Sequence, residues 1–477
     1  MAPMTLSAEE YQFLLRRDFT SFLERSFYEL NPQTPLLLGP HIEVIATKLE
    51  ACRQGGIRRL IINLPPRHLK SHCASVAFVA WYLGHHPAGH VICASYGQDL
   101  ADKLARDCRN IMMSAWYKQL FPTRLADQLA VHDFMTADLG THMSTSVGGV
   151  LTGRGADLII IDDALKPDEA LSESRRKAVN EWYDNTLLSR LNDKAKGCII
   201  IIMQRLHQED LVGHVLEQED WDVLSFPAIA EQDETFAIES PLGRRSFHRK
   251  EGDVLHPERE TRETLAKMRE LIGEYNFSSQ YQQNPIPLGG AMVKTDWLKY
   301  YERGDVPEQF NIIVQSWDTA NKSTELSDYS VCTTWGRANG KAYLRDVFRQ
   351  RLNYPDLKRK VKERARLHGA NRILIEDKAS GTQLIQELQA EHLFGITPYQ
   401  PPSGTDKIMR LHAQTAWFEN GLVLLSRNAS WLADYITELT AFPGTKYDDQ
   451  VDSTTQALDY LKAPDFLEMW ARLGAKY

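Results

Sequence analysis

Two sets of residues in this 477-residue chain have the types and spacing that phosphate chemistry needs. The first begins at NLPPRHLKSH (63–72), which follows an apolar run and opens a helical pattern. Lys70-Ser71 stand where a phosphate-binding loop carries its Lys-Ser/Thr pair. The ammonium serves the β- and γ-phosphates, the hydroxyl serves Mg²⁺, and backbone N–H groups surround the phosphates. His68 and His72 flank Lys70 in the same loop. Leu64 and Leu69 fill the positions of both usual glycines, and Leu69 is the sharper departure, because glycine there permits close backbone approach to phosphate. DLIIIDD (157–163) is an apolar run that ends in two acids. In an ATPase of this type Asp162 holds Mg²⁺ through water and Asp163 orients the attacking water. Asp after a buried strand is also a common helix N-cap. Gln204 ends GCIIIIMQ (197–204), where a strand beside the loop-bearing strand can deliver a sensor of the γ-phosphate.

The second set is acidic. Two-metal phosphodiester cleavage needs carboxylates converging on ions roughly 3.5–4 Å apart. Mg²⁺ prefers hard oxygen ligands and keeps several waters, so a few acids suffice, and Mn²⁺ suits the same donors. Asp318 closes the run NIIVQSWD, Glu376 closes RILIE, and Asp448, Asp449 and Asp452 open the last helical pattern. On a helix, Asp449 and Asp452 are three apart and Asp448 and Asp452 four apart, so each pair shares a face. Acids at a helix start also suit its dipole. Spacing leaves open whether Asp448 or Asp449 is the third ligand, with Asp452 a fourth. Asp328 has two readings, support for the acids or a turn residue.

The elements that must carry these residues divide the chain. Over 57–225, short β-branched runs alternate with helical patterns such as 99–112 and 172–191. Leu158–Ile161 and Ile199–Ile202 are apolar without alternation, as in central parallel strands buried on both faces. Residues 226–304 hold charge clusters (GRRSFHRKEGD, 243–253), a helical stretch at 260–274 and QYQQNPIPLGG, and are predicted to form a linker or lid subdomain. From about 311 a new pattern begins: strands at 311–320, 328–337 and 341–351, the last two joined by an ANG turn. A helix (356–368), the strand 372–378, a helix (380–391), the strand 422–426 and helices near 429–441 and 450–462 follow. The predicted fold class is α/β, an ATPase domain with a parallel sheet (1–225) joined to an RNase H-like domain (305–477).

Composition sets the outer limits. Apolar residues make up 43% and charged residues 25%, as in ordinary globular chains. The formal net charge of -8 excludes a wholly basic histone-like binder while leaving room for local basic grooves. Such grooves have two candidate stretches, 244–250 and 349–366, suited to sequence-independent contact with a DNA backbone. The six cysteines form no C-x-x-C pair and read as reduced core thiols of a cytosolic protein. His86 and His90 have Pro87 and Gly89 between them and no third partner, which argues against zinc. The N-terminus reads as an amphipathic helix without the apolar core of a signal peptide. No apolar run approaches the roughly 20 residues that span a bilayer.

The order of these motifs resembles the large terminase subunit of tailed bacteriophages. The resemblance rests on RRLIINLPPRHLKS (58–71), ICASYGQDLADKLARDCR (92–109), GGVLTGRGADLIIIDDALK (148–166), IIIIMQRLHQEDLVG (199–213), FSSQYQQNP (277–285), SWDTANKSTELSDYSVCTTWG (316–336), ILIEDKASGTQL (373–384) and DDQVDSTTQAL (448–458). Phosphate loops poor in glycine with a PPR-type lead-in are familiar in that family.

The resemblance implies a motor that hydrolyses ATP to drive double-stranded DNA into procapsids, with a nuclease that cuts concatemeric DNA. Lys70, Ser71, Arg67 and His68 would form the phosphate loop, with Arg67 at the γ-phosphate. Asp162 and Asp163 would serve metal and water, Gln204 would couple hydrolysis to movement, and Arg154 would act as an arginine finger on a neighbouring subunit. An ordinary solvated loop arginine is the alternative for Arg154. Asp318, Glu376, Asp448 or Asp449, and Asp452 would hold Mg²⁺ or Mn²⁺. Implied partners are the portal, a small terminase subunit and further copies in a ring, within the cytoplasm of a host bacterium and away from membrane. Two rival readings are an ATP-independent nuclease with a degenerate loop, and a cellular ATP-dependent nuclease or helicase.

Overall fold

The β-branched runs become a sheet whose carboxyl edge gathers the first set of residues. In this computed structural model the described residues are 6–130, 132–151, 153–285, 292–319, 329–378, 380–402, 404–444 and 447–462. They form two units, Met1–Pro287 and Leu288–Tyr477. The first holds β1 (Arg59–Asn63), β2 (His90–Ser95), β3 (Leu125–Leu129), β4 (Asp133–Thr136), β5 (Thr141–Ser146), β6 (Leu158–Asp162), β7 (Cys198–Met203) and β8 (Asp222–Ser225) in the order β3-β4-β5-β2-β6-β7-β1-β8. The run β5-β2-β6-β7-β1-β8 is parallel throughout, and β3 and β4 extend it as antiparallel strands.

Alternate residues of each strand serve opposite faces. Leu60, Ile62, Ile160 and Ile200 pack with Phe22, Phe78 and Trp81 on one side. Ile61, Ile159, Ile161, Ile199 and Ile201 pack with Trp182, Tyr183 and Leu187 on the other. Strands buried on both faces cannot alternate in polarity, hence the unbroken isoleucine runs. Register aligns Asn63 with Met203 and Asp162 with Ile202, so the exits of β1, β6 and β7 share one edge. The Asn63 side-chain amide donates to the Met203 carbonyl at 3.0 Å and ties two of these exits together.

Segment 243–253, read as charge clusters, contributes a strand. β9 (Glu234–Ser240) and β10 (Gly243–Arg249) form an antiparallel hairpin. Ile238 joins the first core, with Phe236 and Phe247 packed against it. The helix Arg262–Gln280 is broken at Gly273, whose φ of 79° suits only a residue without a Cβ. The expected helix at 172–191 is α-helical only over Glu173–Trp182 and then changes winding through Arg190.

The second unit holds β11 (Lys299–Tyr301), β12 (Ile312–Asp318), β13 (Ser330–Ala338), β14 (Lys341–Gln350), β15 (Arg372–Glu376), β16 (Ile396–Tyr399) and β17 (Val423–Ser426), in the order β11-β17-β14-β13-β12-β15-β16. β12, β13 and β14 are antiparallel, while β15 runs parallel to β12 and β16 to β15. Asn339 (φ 52°) and Gly340 (φ 74°) make the tight turn expected between β13 and β14. Three antiparallel strands followed by parallel β15 and β16, with helices on both faces, are an RNase H-like arrangement. Trp317, Cys332, Ile373 and Ile375 face the helix Tyr354–His368. Val314, Trp335 and Leu374 pack in a second core with residues of the helices Lys407–Glu419 and Asp449–Lys462. The helix Lys407–Glu419 and strands β11 and β16 were not legible beforehand.

Candidate active sites

The loop between β1 and its helix has an unusual backbone. Arg67 and Leu69 adopt φ of 65° and 60°, a left-handed region that non-glycine residues rarely enter. Leu69 thus takes a conformation normally reserved for glycine, and its side chain packs against the first core. Beyond the loop, His72–Phe78 is wound as a π-helix, a form frequent at functional sites.

Lys70, nearly buried, places its ammonium 2.5 Å from Asp163 Oδ1. Ser71 Oγ donates to Asp162 Oδ1 at 3.0 Å, and Ser75 Oγ donates to Oδ2 at 2.7 Å. Burial, then the neighbouring Asp163 charge, raises the Asp162 carboxyl above the ordinary range, opposed by Lys70 and the two serines. Pro66, Arg67, Leu69, Lys70, Ser71, Asp163 and Gln204 line one cavity of about 740 Å³, a size usual for ligand sites. The buried Gln204 Oε1 lacks a hydrogen-bond partner among the described residues. His68 does not line the cavity. It packs with His41 and His256 at centroid distances of 5.5 and 6.2 Å, and burial pushes it down to about 4. Arg154 also lies off the cavity and pairs with Asp133 on β4. A cation, paired acids and hydroxyls at the exits of parallel strands suit a polyphosphate and its Mg²⁺.

The acids of the second unit gather by a different route. Trp317 pairs with Ile375 in register, so Asp318 and Glu376 leave neighbouring parallel strands side by side. The helix Asp449–Lys462 crosses β12 and β13, where Ser453 Oγ donates to the Ser316 carbonyl at 2.7 Å and meets Thr333 Oγ1 at 2.8 Å. That docking brings Asp449 and Asp452 toward Asp318. Burial, then Asp452, Asp449 and Glu376, raise the Asp318 carboxyl well above its ordinary range. Burial and Glu438 push Asp449 up to about 6, opposed by Arg349.

Mutual repulsion among hard oxygen donors is the chemistry a divalent cation relieves, so this donor set fits Mg²⁺ or Mn²⁺. The cation on the acids here is a side chain. Lys407 Nζ stands 2.6 Å from both Asp448 and Asp452, and Arg410 stands 2.9 Å from Asp452. Among the described residues, no three His, Cys, Asp or Glu side chains are gathered to hold one ion as they stand. Asp328 lies outside the described residues.

Residues 315–461 match the family model of the terminase RNaseH-like domain. No curated protein matches the sequence. The fold resembles that of the large terminase from a thermophilic bacteriophage, with a TM-score of 0.50 at 11% identity, covering 87% of this chain and 98% of that one. The large terminase of bacteriophage HK97 aligns at 10% identity over 93% of this chain and 99% of its own, TM-score 0.38. The large terminase nuclease of thermophilic phage G20c with bound magnesium aligns at 20% identity over 36% of this chain and 98% of its own, TM-score 0.29. The expected resemblance to large terminases and the α/β class both hold.

Several residues around these sites escaped the sequence reading. Arg259 lines the cavity beside Lys70 from a distant loop. Gln283, at φ 57°, accepts from the Arg205 backbone at 3.0 Å, directly after Gln204. In the second unit, buried Glu438 accepts from the Gln450 backbone and side chain, both at 2.6 Å, and fixes the start of the acidic helix. Glutamine repeats in QYQQNP were the one visible hint of Gln283. Nothing in sequence points to Arg259, Glu438, Lys407 or Arg410. The six cysteines are buried and free. Among the described residues, no helix is long and apolar enough to cross a membrane.

Proposed function

We propose that this chain is the large subunit of a phage terminase, which hydrolyses ATP to move double-stranded DNA into procapsids and cuts concatemeric DNA. The observation that carries the reading is the coexistence, in one chain, of the Lys70–Asp163 and Ser71–Asp162 pairs at a parallel-sheet edge with a terminase RNaseH-like domain bearing converging acids. Residues 1–225 would house the motor, 226–304 a linker or lid and 305–477 the nuclease.

In the motor, Lys70 would leave Asp163 for the β- and γ-phosphates as ATP enters. Asp163 would then be free to orient and accept a proton from the attacking water. Ser71 and Asp162 would hold Mg²⁺, while Arg67 and Gln204 would contact the γ-phosphate. Gln204 would pass the change along β7. Arg154, exchanging Asp133 for the site of an adjoining copy, would act as the finger in a ring on the portal. His68 would brace the loop. In the nuclease, Asp318, Glu376, Asp452 and Asp449 or Asp448 would hold Mg²⁺ or Mn²⁺. Such ions supply an activated hydroxide and a counter-charge for the leaving oxygen. A small terminase subunit would select the DNA, within the host cytoplasm.

The test is Mg²⁺-dependent ATP hydrolysis, with and without double-stranded DNA, by wild type beside Lys70→Ala. Turnover lost only in the variant supports the motor. No turnover and no nucleotide binding in wild type would leave an ATP-independent nuclease. Strand separation driven by ATP would point to a helicase instead.

A further inference from the structure

A cluster of arginines and tyrosines, at the start of the basic stretch 349–366, stands beside the acids. Register places Asp318 opposite Val331 and Val331 opposite Arg349 across three neighbouring strands. Residues directly opposite one another share a sheet face, so Arg349 lies on the face that carries Asp318. The helix Asp449–Lys462 docks on that same face, through Ser453 on Thr333, two residues along from Val331. Arg349 Nη1 also lies 3.7 Å from Glu438, the residue that holds the start of that helix through Gln450.

Its guanidinium carbon lies 4.2 Å from the centroid of the Tyr329 ring and 5.2 Å from that of Tyr447. The rings meet edge to face at 5.6 Å. Arg351 stacks on Tyr329 at 4.7 Å and is exposed. Stacking fixes the plane of a guanidinium while leaving its N–H edge for an in-plane acceptor. The Arg349 side chain keeps a quarter of its surface exposed.

We propose that Arg349 and Arg351, held flat by Tyr329 and Tyr447, form a clamp for the phosphodiester backbone of double-stranded DNA and seat the strand over the Asp318 site. The inference rests on the nuclease reading for its purpose and on the clamp geometry for its residues. A phosphate oxygen accepts in-plane bonds from a guanidinium, and two arginines on one ring engage neighbouring phosphates. No base edge is read, so the contact is indifferent to sequence. Repulsion between DNA and the acids is offset locally, although the chain as a whole carries a net charge of -8.

The experiment measures binding of a labelled duplex in EDTA across a salt series, for wild type, Arg349→Gln and Arg351→Gln, each checked for an unchanged melting temperature. Arg351→Gln leaves the Glu438 contact alone and decides the matter where Arg349→Gln unfolds. Each variant is expected to weaken binding roughly tenfold and to lower the slope of log K against log salt by about 0.9. Arg349→Lys should recover affinity only in part, because an ammonium cannot offer the flat edge. Wild-type slopes in both glutamine variants overturn the clamp. Equal losses on single-stranded and duplex DNA overturn its assignment to the duplex. Cleavage of supercoiled plasmid in Mg²⁺ or Mn²⁺ is scored separately, with Asp318→Asn as control. Failure of cleavage in wild type therefore counts against the nuclease reading and not against the clamp.

Discussion

The Lys70 site and the Asp318 site solve opposite electrostatic problems. Around Lys70, charges are already paired: Lys70 with Asp163, and Asp162 with the hydroxyls of Ser71 and Ser75. In the second unit, Asp318 is raised by burial and by other carboxylates, and the balancing cations reach in from a neighbouring helix, as Lys407 and Arg410. On the proposed function, the first site would exchange partners when a polyanion arrives, and the second stores like-charge repulsion that a divalent ion would release. A parallel-strand edge can pair charges locally, whereas converging acids need cations from elsewhere in the fold.

Breaking the pairing in the first site should have the largest effect. Asp163→Asn removes both the partner of Lys70 and the proposed water-orienting carboxylate. ATP turnover should fall on the order of 10²–10³-fold with nucleotide binding retained, as steady-state rates and calorimetry would show. Loss of binding along with turnover would instead make Asp163 part of the loop's architecture.

Stability should separate the sites next. Arg410→Ala leaves the mostly buried Asp452 with Lys407 alone. Removing one partner of a buried ion pair costs about 3–5 kcal/mol, and the retained lysine should keep the loss at or below the lower end. Ser75→Ala removes one hydrogen bond to a charged group, worth about 1.5–3 kcal/mol. Urea titrations of both variants check these losses, and a loss well above about 3 kcal/mol in either would contradict them.

Acid should weaken the first unit more than the second. Burial pushes His68, His72 and His142 of the first unit down to about 4, below their ordinary 6.5. The unfolded chain then takes up protons before the native one. This contribution is present above pH 6.5 and is lost as pH falls toward 4. Asp449 is raised to about 6, so the native state gains a proton first and its charge penalty disappears as pH falls from about 6 toward 4. His368 and His412, also down to about 4, oppose that gain in the second unit. Hydrogen exchange at pH 7 and pH 5, corrected for intrinsic rates, should show protection falling more in β1 and β6 than in β12 and β15. Equal losses would contradict the contrast.

Leu69→Gly should have the smallest effect. Relief of a left-handed residue is worth roughly 1–2 kcal/mol, set against the lost packing of a partly buried leucine. ATP turnover should persist, with a melting shift of a few degrees at most. Abolished turnover would give the leucine side chain itself a role.

Much of this comparison was legible in the sequence, for physical reasons. Strands buried on both faces must be apolar throughout, so β1, β6 and β7 announced themselves, and acids or amides at their exits had few places to go. Asp318 and Glu376 were visible in the same way. β10 was missed because GRRSFHR is largely exposed and carries no alternation. Lys407, Arg410 and Glu438 sit on helices whose docking is decided by tertiary packing, so their meeting with Asp452 and Gln450 has no local signature. Leu69 read as a departure from a glycine rule, and the structure resolves it as a leucine held at a positive φ.

The most direct test of two separable sites in one chain is a crossed assay on single preparations. ATP hydrolysis and plasmid cleavage would be measured side by side for wild type, Lys70→Ala and Asp318→Asn. The account predicts that Lys70→Ala loses hydrolysis and keeps metal-dependent cleavage, and that Asp318→Asn does the reverse. Cleavage unchanged in Asp318→Asn, or hydrolysis unchanged in Lys70→Ala, would contradict it.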